Sequence, residues 1–269
     1  MNTYLIAEMG SSWLFGRTID GQRKHGIELI QAAATCGAKA VKTQWTSDHR
    51  KMERRRKVAE GSYTGLQWPI EWHQGFAGEA HRLGMEYIVT VFLPCDVKAV
   101  YPHVDRFKVA SLEFRSASLR KALAKQSKPV IYSTGVCASH DISESIMSSA
   151  YKINDHLLYC TASYPCPAEE MNLAAMRVYG FANSYDGLSD HSRHVVTGAF
   201  AVMRGATIVE AHIRLNETPR TNPDYGHSLA PWEFAIYADN ILLAETMLGD
   251  GNKKIEKGER ALMKHRVRR

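Results

Sequence analysis

Two histidines, two lysines and a series of hydroxyls and carboxylates at the ends of short apolar runs are the residues of this chain best placed to do chemistry. His191 follows directly on Ser189 and Asp190, and His212 lies two residues beyond Glu210. Imidazoles oriented by nearby carboxylates suit a divalent metal ion that keeps open water positions. Twelve histidines are present, and a single one is more often a surface or hydrogen-bonded core residue. The pair stands out because both fall at the ends of neighbouring strand-like runs, whereas His194 is expected on the following helix, in solvent. Lys42 and Lys108 sit inside apolar stretches, where a charge is costly unless paired or bound. One lysine of this kind is explained equally well by a salt bridge to a neighbouring carboxylate. Two of them, with Thr90, Ser111, Ser133, Thr134 and Ser189 at equivalent positions, favour a site for a phosphate or carboxylate. Glu8, Gln44, Glu113 and Tyr164 complete the polar strand ends.

Such residues converge only if the elements carrying them close on themselves. Short apolar strands are expected at residues 4–9, 40–44, 86–92, 106–111, 130–134, 157–161, 187–189 and 207–213. Helical spacing of three and four recurs between them, for example at 23–34, 72–83, 119–125 and 195–203, and again at 232–248. Strand–helix alternation implies a parallel sheet, since each crossover helix returns the chain to the same edge. Eight units in 269 residues imply a single-domain (β/α)8 TIM barrel, because that fold takes about 250 residues. The barrel is expected over 1–250, with a basic tail at 251–269. The connections at 47–67 and 216–228 are long and polar, and both belong to the rim where strand-to-helix loops carry function.

Composition limits the alternatives. Hydrophobic residues make up 45% and charged residues 23%, as in a globular protein with a sizeable core. No apolar run is long enough for a membrane span, and the first residues read as a strand rather than a signal peptide. Five scattered cysteines without CxxC spacing argue against a disulfide framework or a structural zinc site, hence for a reducing, cytoplasmic setting. The net charge of +6 concentrates at Arg54-Arg55-Arg56-Lys57 and in the tail. Solvated loop and tail charges explain this better than a nucleic-acid site, since no aromatics interleave with the terminal basic run. Trp68, Trp72 and Trp232 could serve a homo-oligomeric interface, although their helical positions favour core packing.

The strand-end motifs resemble the catalytic barrel of the N-acetylneuraminate (sialic acid) synthase family. The matching pieces are Ile6-Ala7-Glu8-Met9-Gly10, Ala40-Val41-Lys42-Thr43-Gln44, Phe107-Lys108-Val109-Ala110-Ser111, Val130-Ile131-Tyr132-Ser133-Thr134-Gly135, Cys160-Thr161-Ala162-Ser163-Tyr164-Pro165, Gly187-Leu188-Ser189-Asp190-His191, Glu210-Ala211-His212 and Pro223-Asp224. They occur in order across nearly the whole chain. The resemblance implies condensation of phosphoenolpyruvate with an aldehyde sugar, N-acetylmannosamine or a related hexosamine, to a 2-keto-3-deoxy acid and phosphate. It further implies that Lys42, Thr90, Lys108, Ser111, Ser133 and Ser189 hold phosphoenolpyruvate and that His191 and His212 bind Mn²⁺ or Mg²⁺. Glu8, Tyr164 and Asp224 would face the acceptor, and Glu113, His212 and Glu8 would serve catalysis.

The departures from the family pattern concern the sugar half. Ser11-Ser12-Trp13-Leu14-Phe15-Gly16 replaces the usual Asn-His segment and is expected to bring bulky apolar groups near the acceptor. Ala162 stands where a polar residue is usual, and Thr90-Val91-Phe92 replaces Thr-Pro-Phe. The family's C-terminal antifreeze-like domain, which reaches into the partner subunit and contributes an arginine, is expected to be absent. These departures motivate two alternatives, a noncatalytic sugar- or phosphate-binding homologue and a subunit that needs a separate antifreeze-like partner.

Overall fold

The structure is a computed structural model that describes residues 2–147, 151–176 and 185–267. Eight parallel strands close into a barrel in chain order: β1 (Tyr4–Gly10), β2 (Ala40–Trp45), β3 (Glu86–Val91), β4 (Arg106–Val109), β5 (Val130–Ser133), β6 (His156–Cys160), β7 (Gly187–Asp190) and β8 (Ile208–His212). β1 pairs with both β2 and β8, so no edge is left open. The eight expected strands are all present, shifted by one or two residues at their ends. Ser111 lies beyond β4 in a short helical turn, Ser111–Glu113.

Around the barrel run α1 (Ile19–Thr35), α2 (His49–Arg56), α3 (Trp72–Arg82), α4 (Pro94–Val100), α5 (Ala117–Ala124), α6 (Ser139–Met147), α7 (Thr197–Met203) and α8 (Pro231–Leu248). Each starts or packs for a local reason. Thr18 caps α1 by accepting from Gly21 N (3.1 Å), and α1 buries Gly26, Leu29, Ile30 and Ala33, one face at helical spacing. Gly26 is required there, because a Cβ would stand 2.6 Å from the ring of Phe76 on α3. Pro231 opens α8, where Glu233 reaches back to Ala230 N (2.7 Å). Among the described residues, β6 is followed only by short helical turns, and 177–184 lie outside the description. α8 ends at Leu248, and every described residue from there to Val267 is exposed. Among the described residues no helix is long and apolar enough to cross a membrane.

The interior is stacked in layers by strand alternation. At the N-terminal end, the Tyr4 hydroxyl bonds Glu86, and Arg106 Nε donates to Glu86 (2.5 Å). Next comes an apolar layer of Ile6, Ala40, Ile88, Ile131, Leu158 and Ile208. Two residues further along each strand the side chains turn polar: Glu8, Lys42, Thr90, Lys108, Ser133, Cys160, Ser189 and Glu210, all buried. Trp68 and Trp72 are buried against Trp13 and Phe76, as core packing requires, whereas Trp232 is 63% exposed on the outer face of α8 and packs no core.

His73 on α3 is fully buried. Its Nδ1 lies 2.8 Å from the Tyr87 hydroxyl, itself 2.8 Å from the Thr43 hydroxyl, and its Nε2 has no partner. Burial, reinforced by His103 stacked 5.9 Å away, pushes its pKa down to about 3. The unfolded chain takes up a proton below about pH 6.5 that the folded chain refuses, which costs about 1.4 kcal/mol of stability per pH unit down to the folded value. Between pH 6.5 and 5, wild type should therefore lose roughly 2 kcal/mol more than His73→Asn. Urea titrations at pH 7, 6 and 5 read this difference, and parallel slopes for the two proteins would rule it out.

Candidate active site

The polar layer is organised around Glu210. Its Oε1 accepts from Lys42 Nζ (3.0 Å), Lys108 Nζ (3.0 Å) and Ser189 Oγ (2.9 Å). Lys42 also pairs with Glu8, and Lys108 donates to Ser133 Oγ (2.7 Å). Glu8 Oε1 further accepts from Gly10 N (2.5 Å) and Gln44 Nε2 (3.3 Å). Charges this deep act strongly on one another. Burial alone would raise Glu210, but Lys108 and Lys42 hold it far below the usual carboxylate range. Burial would lower Lys42, yet Glu210 and Glu8 keep it above the ordinary lysine value. For Lys108 burial prevails over the pull of Glu210, and for Glu8 burial and Glu210 together prevail over Lys42, so Lys108 is pushed down and Glu8 up.

Both explanations of the strand lysines thus have a place. Each lysine has a carboxylate partner, and each also stands in a ring of hydroxyls. Thr90 Oγ1 is buried without a partner, and Thr90 aligns with Lys108 in the β3–β4 register. Ser111 Oγ accepts from Gly135 N (3.0 Å) beside Cys160. Lys42, Lys108, Ser133 and Ser189 are joined directly through Glu210, with Thr90 and Ser111 in the same buried region.

Above this layer opens a cavity of about 290 Å³ lined by Gln44, Arg56, Tyr63, Phe92, Ser111, Ala162, Tyr164, His212, Asp224 and His227, among others. A neighbouring cavity of about 350 Å³ is lined by Ser11, Leu14, the segment 61–66 and Asp224. Tyr164, half exposed, packs at a tilt on His191 with ring centres 4.1 Å apart, and the His191 and His212 ring centres stand 5.4 Å apart. The two histidines are brought together at the mouth. Burial lowers the pKa of each below the ordinary imidazole value, His227 adding to the effect at His212, so both are neutral and able to ligate. His212 Nδ1 is buried without a partner, and the ligand atoms of His212, Asp224 and His227 lie within 4.8 Å of one another, a donor set that fits a divalent ion and does not include His191.

The structure corrects three expectations. Asp190 does not orient His191. Lying between inward Ser189 and His191, it points out of the barrel and accepts from Tyr237 Oη (2.9 Å) and Ser192 N (2.7 Å), while His191 Nδ1 lies 3.0 Å from Thr161 O. Trp13 does not approach the acceptor region, because it is fully buried in the aromatic cluster with Trp68 and Phe76, and Phe15 stacks on His25. Of the bulky residues in that loop, Leu14 lines the second of these cavities. Glu8 lines neither cavity, since its carboxylate is committed to Lys42, Gly10 and Gln44 one layer below.

Glu113 sits in the turn after β4, clamped by Arg56 from α2 through two bonds, Nε to Oε1 (2.9 Å) and Nη2 to Oε2 (2.6 Å). The Arg56 guanidinium also lies 4.9 Å from the Tyr63 ring centre and 5.1 Å from that of Phe92. Arg56 was legible only as part of a basic run. His227 carried no signal beyond its nearness to Asp224 in a polar loop.

Residues 29–253 match the family model described as the NeuB family. An uncharacterized protein of Methanocaldococcus jannaschii is 31% identical over 263 residues, covering 93% of this chain and 73% of that protein. The N,N'-diacetyllegionaminic acid synthase of Campylobacter jejuni is 29% identical over 96% of this chain and 80% of its own. The crystal structure of N-acetylneuraminic acid synthetase from Leptospira borgpetersenii, in complex with citrate, aligns with a TM-score of 0.81 at 22% identity, over 98% of this chain and 90% of that one. That likeness carries the fold.

Proposed function

Because the chain belongs to the NeuB family, we propose that it condenses phosphoenolpyruvate with the aldehyde form of an amino sugar, N-acetylmannosamine or a related hexosamine, giving a 2-keto-3-deoxy sugar acid and phosphate. The observation that carries this reading is the buried layer of Lys42, Lys108, Thr90, Ser133 and Ser189 directly beneath a cavity edged by Tyr164, His212 and Asp224. An anionic three-carbon substrate seats on the layer, and a polyhydroxylated acceptor fills the cavity.

In the proposed reaction, carbon 3 of phosphoenolpyruvate bonds to the aldehyde carbon, whose oxygen takes a proton. Cation character develops at carbon 2 and water adds there, losing a proton. The resulting intermediate breaks the bond between carbon 2 and the phosphate oxygen, and its hydroxyl proton leaves with the phosphate, giving the ketone. Lys42, Lys108, Ser133 and Ser189 hold the phosphate and carboxylate throughout, with Thr90 and Ser111 as further donors. Glu113 orients or deprotonates the water, its carboxylate angle fixed by Arg56. Tyr164 and Asp224 face the sugar. His191 and His212 would hold a divalent ion, Mn²⁺ or Mg²⁺, which would supply Lewis acidity toward the carbonyl oxygen.

Phosphate release from phosphoenolpyruvate, with Mn²⁺ and a panel of aldoses, tests the proposal. Release is expected with a 2-acetamido hexose and not without an aldose. A folded protein that binds phosphoenolpyruvate in calorimetry yet releases no phosphate with any aldose would instead be a binding homologue.

A further inference from the structure

The outer wall of the barrel is not uniform. Beyond Ile19 at its first turn, α1 exposes Asp20, Arg23, Lys24 and Gln31; α3 exposes Gln74, His81 and Arg82, and α5 exposes Ser118 and Lys121. Polar outer faces of this kind are what a helix packed on one side of a sheet should show. α7 and α8 differ. On α8, Trp232, Ile236, Leu243 and Met247 point outward in one stripe, while Phe234, Tyr237 and Ile241 fill the inward side. A helix apolar all round belongs to a buried setting. Val196, just before α7, makes a second outward stripe with Phe200 and Met203. The two helices lie side by side, since Asn240 Nδ2 donates to Val195 O (3.0 Å) and a Cβ on Gly198 would stand 2.6 Å from the Tyr237 ring. We propose that this joint α7–α8 face is the surface on which two copies of the chain pair about a twofold axis.

Area and charge both favour a second copy. The side chains of the two stripes, with Phe200 57% and Met247 72% exposed, leave roughly 700 Å² of apolar surface open. That exceeds the few hundred Å² usual on a monomer and approaches the ~800 Å² that each partner of a stable interface covers. Trp232 supplies an aromatic anchor, and a groove of about 410 Å³ edged by Met171, Leu173, Val196 and Phe200 offers a recess beside the α7 stripe. α8 holds no lysine or arginine in its 18 residues, and its exposed charge is Asp239. Arg204, directly after α7, is an exposed cation. Without a fringe of cations along α8 the face has little to draw it to an anionic lipid surface. One charge of each sign lets it meet its own copy without net repulsion. None of the stripe residues lines either cavity at the mouth, so the pairing is independent of the proposed condensation.

Sedimentation velocity of the full chain, over a micromolar concentration series, reads the pairing directly. Wild type should sediment at twice the chain mass of 30.2 kDa. Phe200→Glu and Ile236→Glu each change an outward side chain, so both should keep the wild-type circular dichroism while raising the dissociation constant at least about thirtyfold. Lys121→Glu, on the polar face of α5, should leave that constant unchanged. Hydroxyl-radical oxidation of wild type gives a second reading that needs no substitution. Met203 and Met247 should be oxidised several-fold more slowly than Met147 on α6, although the single chain exposes all three. A wild type that stays monomeric throughout, a dimer that both glutamates leave intact, or Met247 oxidised as fast as Met147 would overturn the assignment.

Discussion

Glu210→Ala should destabilise the protein by roughly 3–5 kcal/mol, the usual cost of removing one partner from a buried ion cluster. Glu210 Oε1 is the shared acceptor of Lys42, Lys108 and Ser189, and all four side chains are buried. Without it, Lys108 retains only the neutral Ser133 hydroxyl, and Lys42 only Glu8. The unpaired ammonium either shifts its pKa downward or draws water into the barrel, and both cost stability. Glu210→Gln should cost less, because the amide oxygen still accepts from a lysine. Lys108→Met added to Glu210→Ala should recover part of the loss, since one orphaned cation is gone. Denaturant midpoints at pH 7 provide the measurement. A change below about 1 kcal/mol for Glu210→Ala would mean that the lysines are not held through this carboxylate.

The second large effect is on turnover. His212→Ala should lower kcat by about a thousandfold or more, because a polarising ion contributes several kcal/mol to a carbonyl addition. The barrel should survive the change. His212 ends β8 at the mouth, its Nδ1 bonds nothing, and its removal orphans no charge in the Glu210 layer. Its backbone oxygen, which accepts from Leu229 N, is retained. Thermal midpoints close to wild type together with lost phosphate release are therefore expected. Near-normal turnover would remove His212 from the chemistry, and a large drop in midpoint would make the loss a folding defect.

Much of this site could be read from strand alternation. Lys42 and Gln44, Ser189 and His191, and Glu210 and His212 each stand two residues apart and share the interior face. The same rule, applied to Asp190, would have turned it outward to Tyr237, since it lies between two inward residues. Which carboxylate meets which lysine was not legible, because Glu210 joins Lys42 across 168 residues only once the barrel's stagger is fixed. Arg56 and His227 come from loop-side segments where no periodicity assigns a direction. The burial of Trp13 depended on Trp68, Trp72 and Phe76, which pack around it from a distant part of the chain.

Closure of the ring through β1 and β8 also sets an order of events during synthesis. The first strand leaves the ribosome some two hundred residues before the strand that completes it, as the pairing of Glu8 with His212 shows. Bringing ends so far apart together carries a loop-closure cost that nearer pairings avoid. Until then every nascent intermediate exposes one edge of β1 and carries Lys42 and Lys108 without Glu210. The two lysines lie on β2 and β4, away from that edge, and meet Glu210 only when β8 closes the ring.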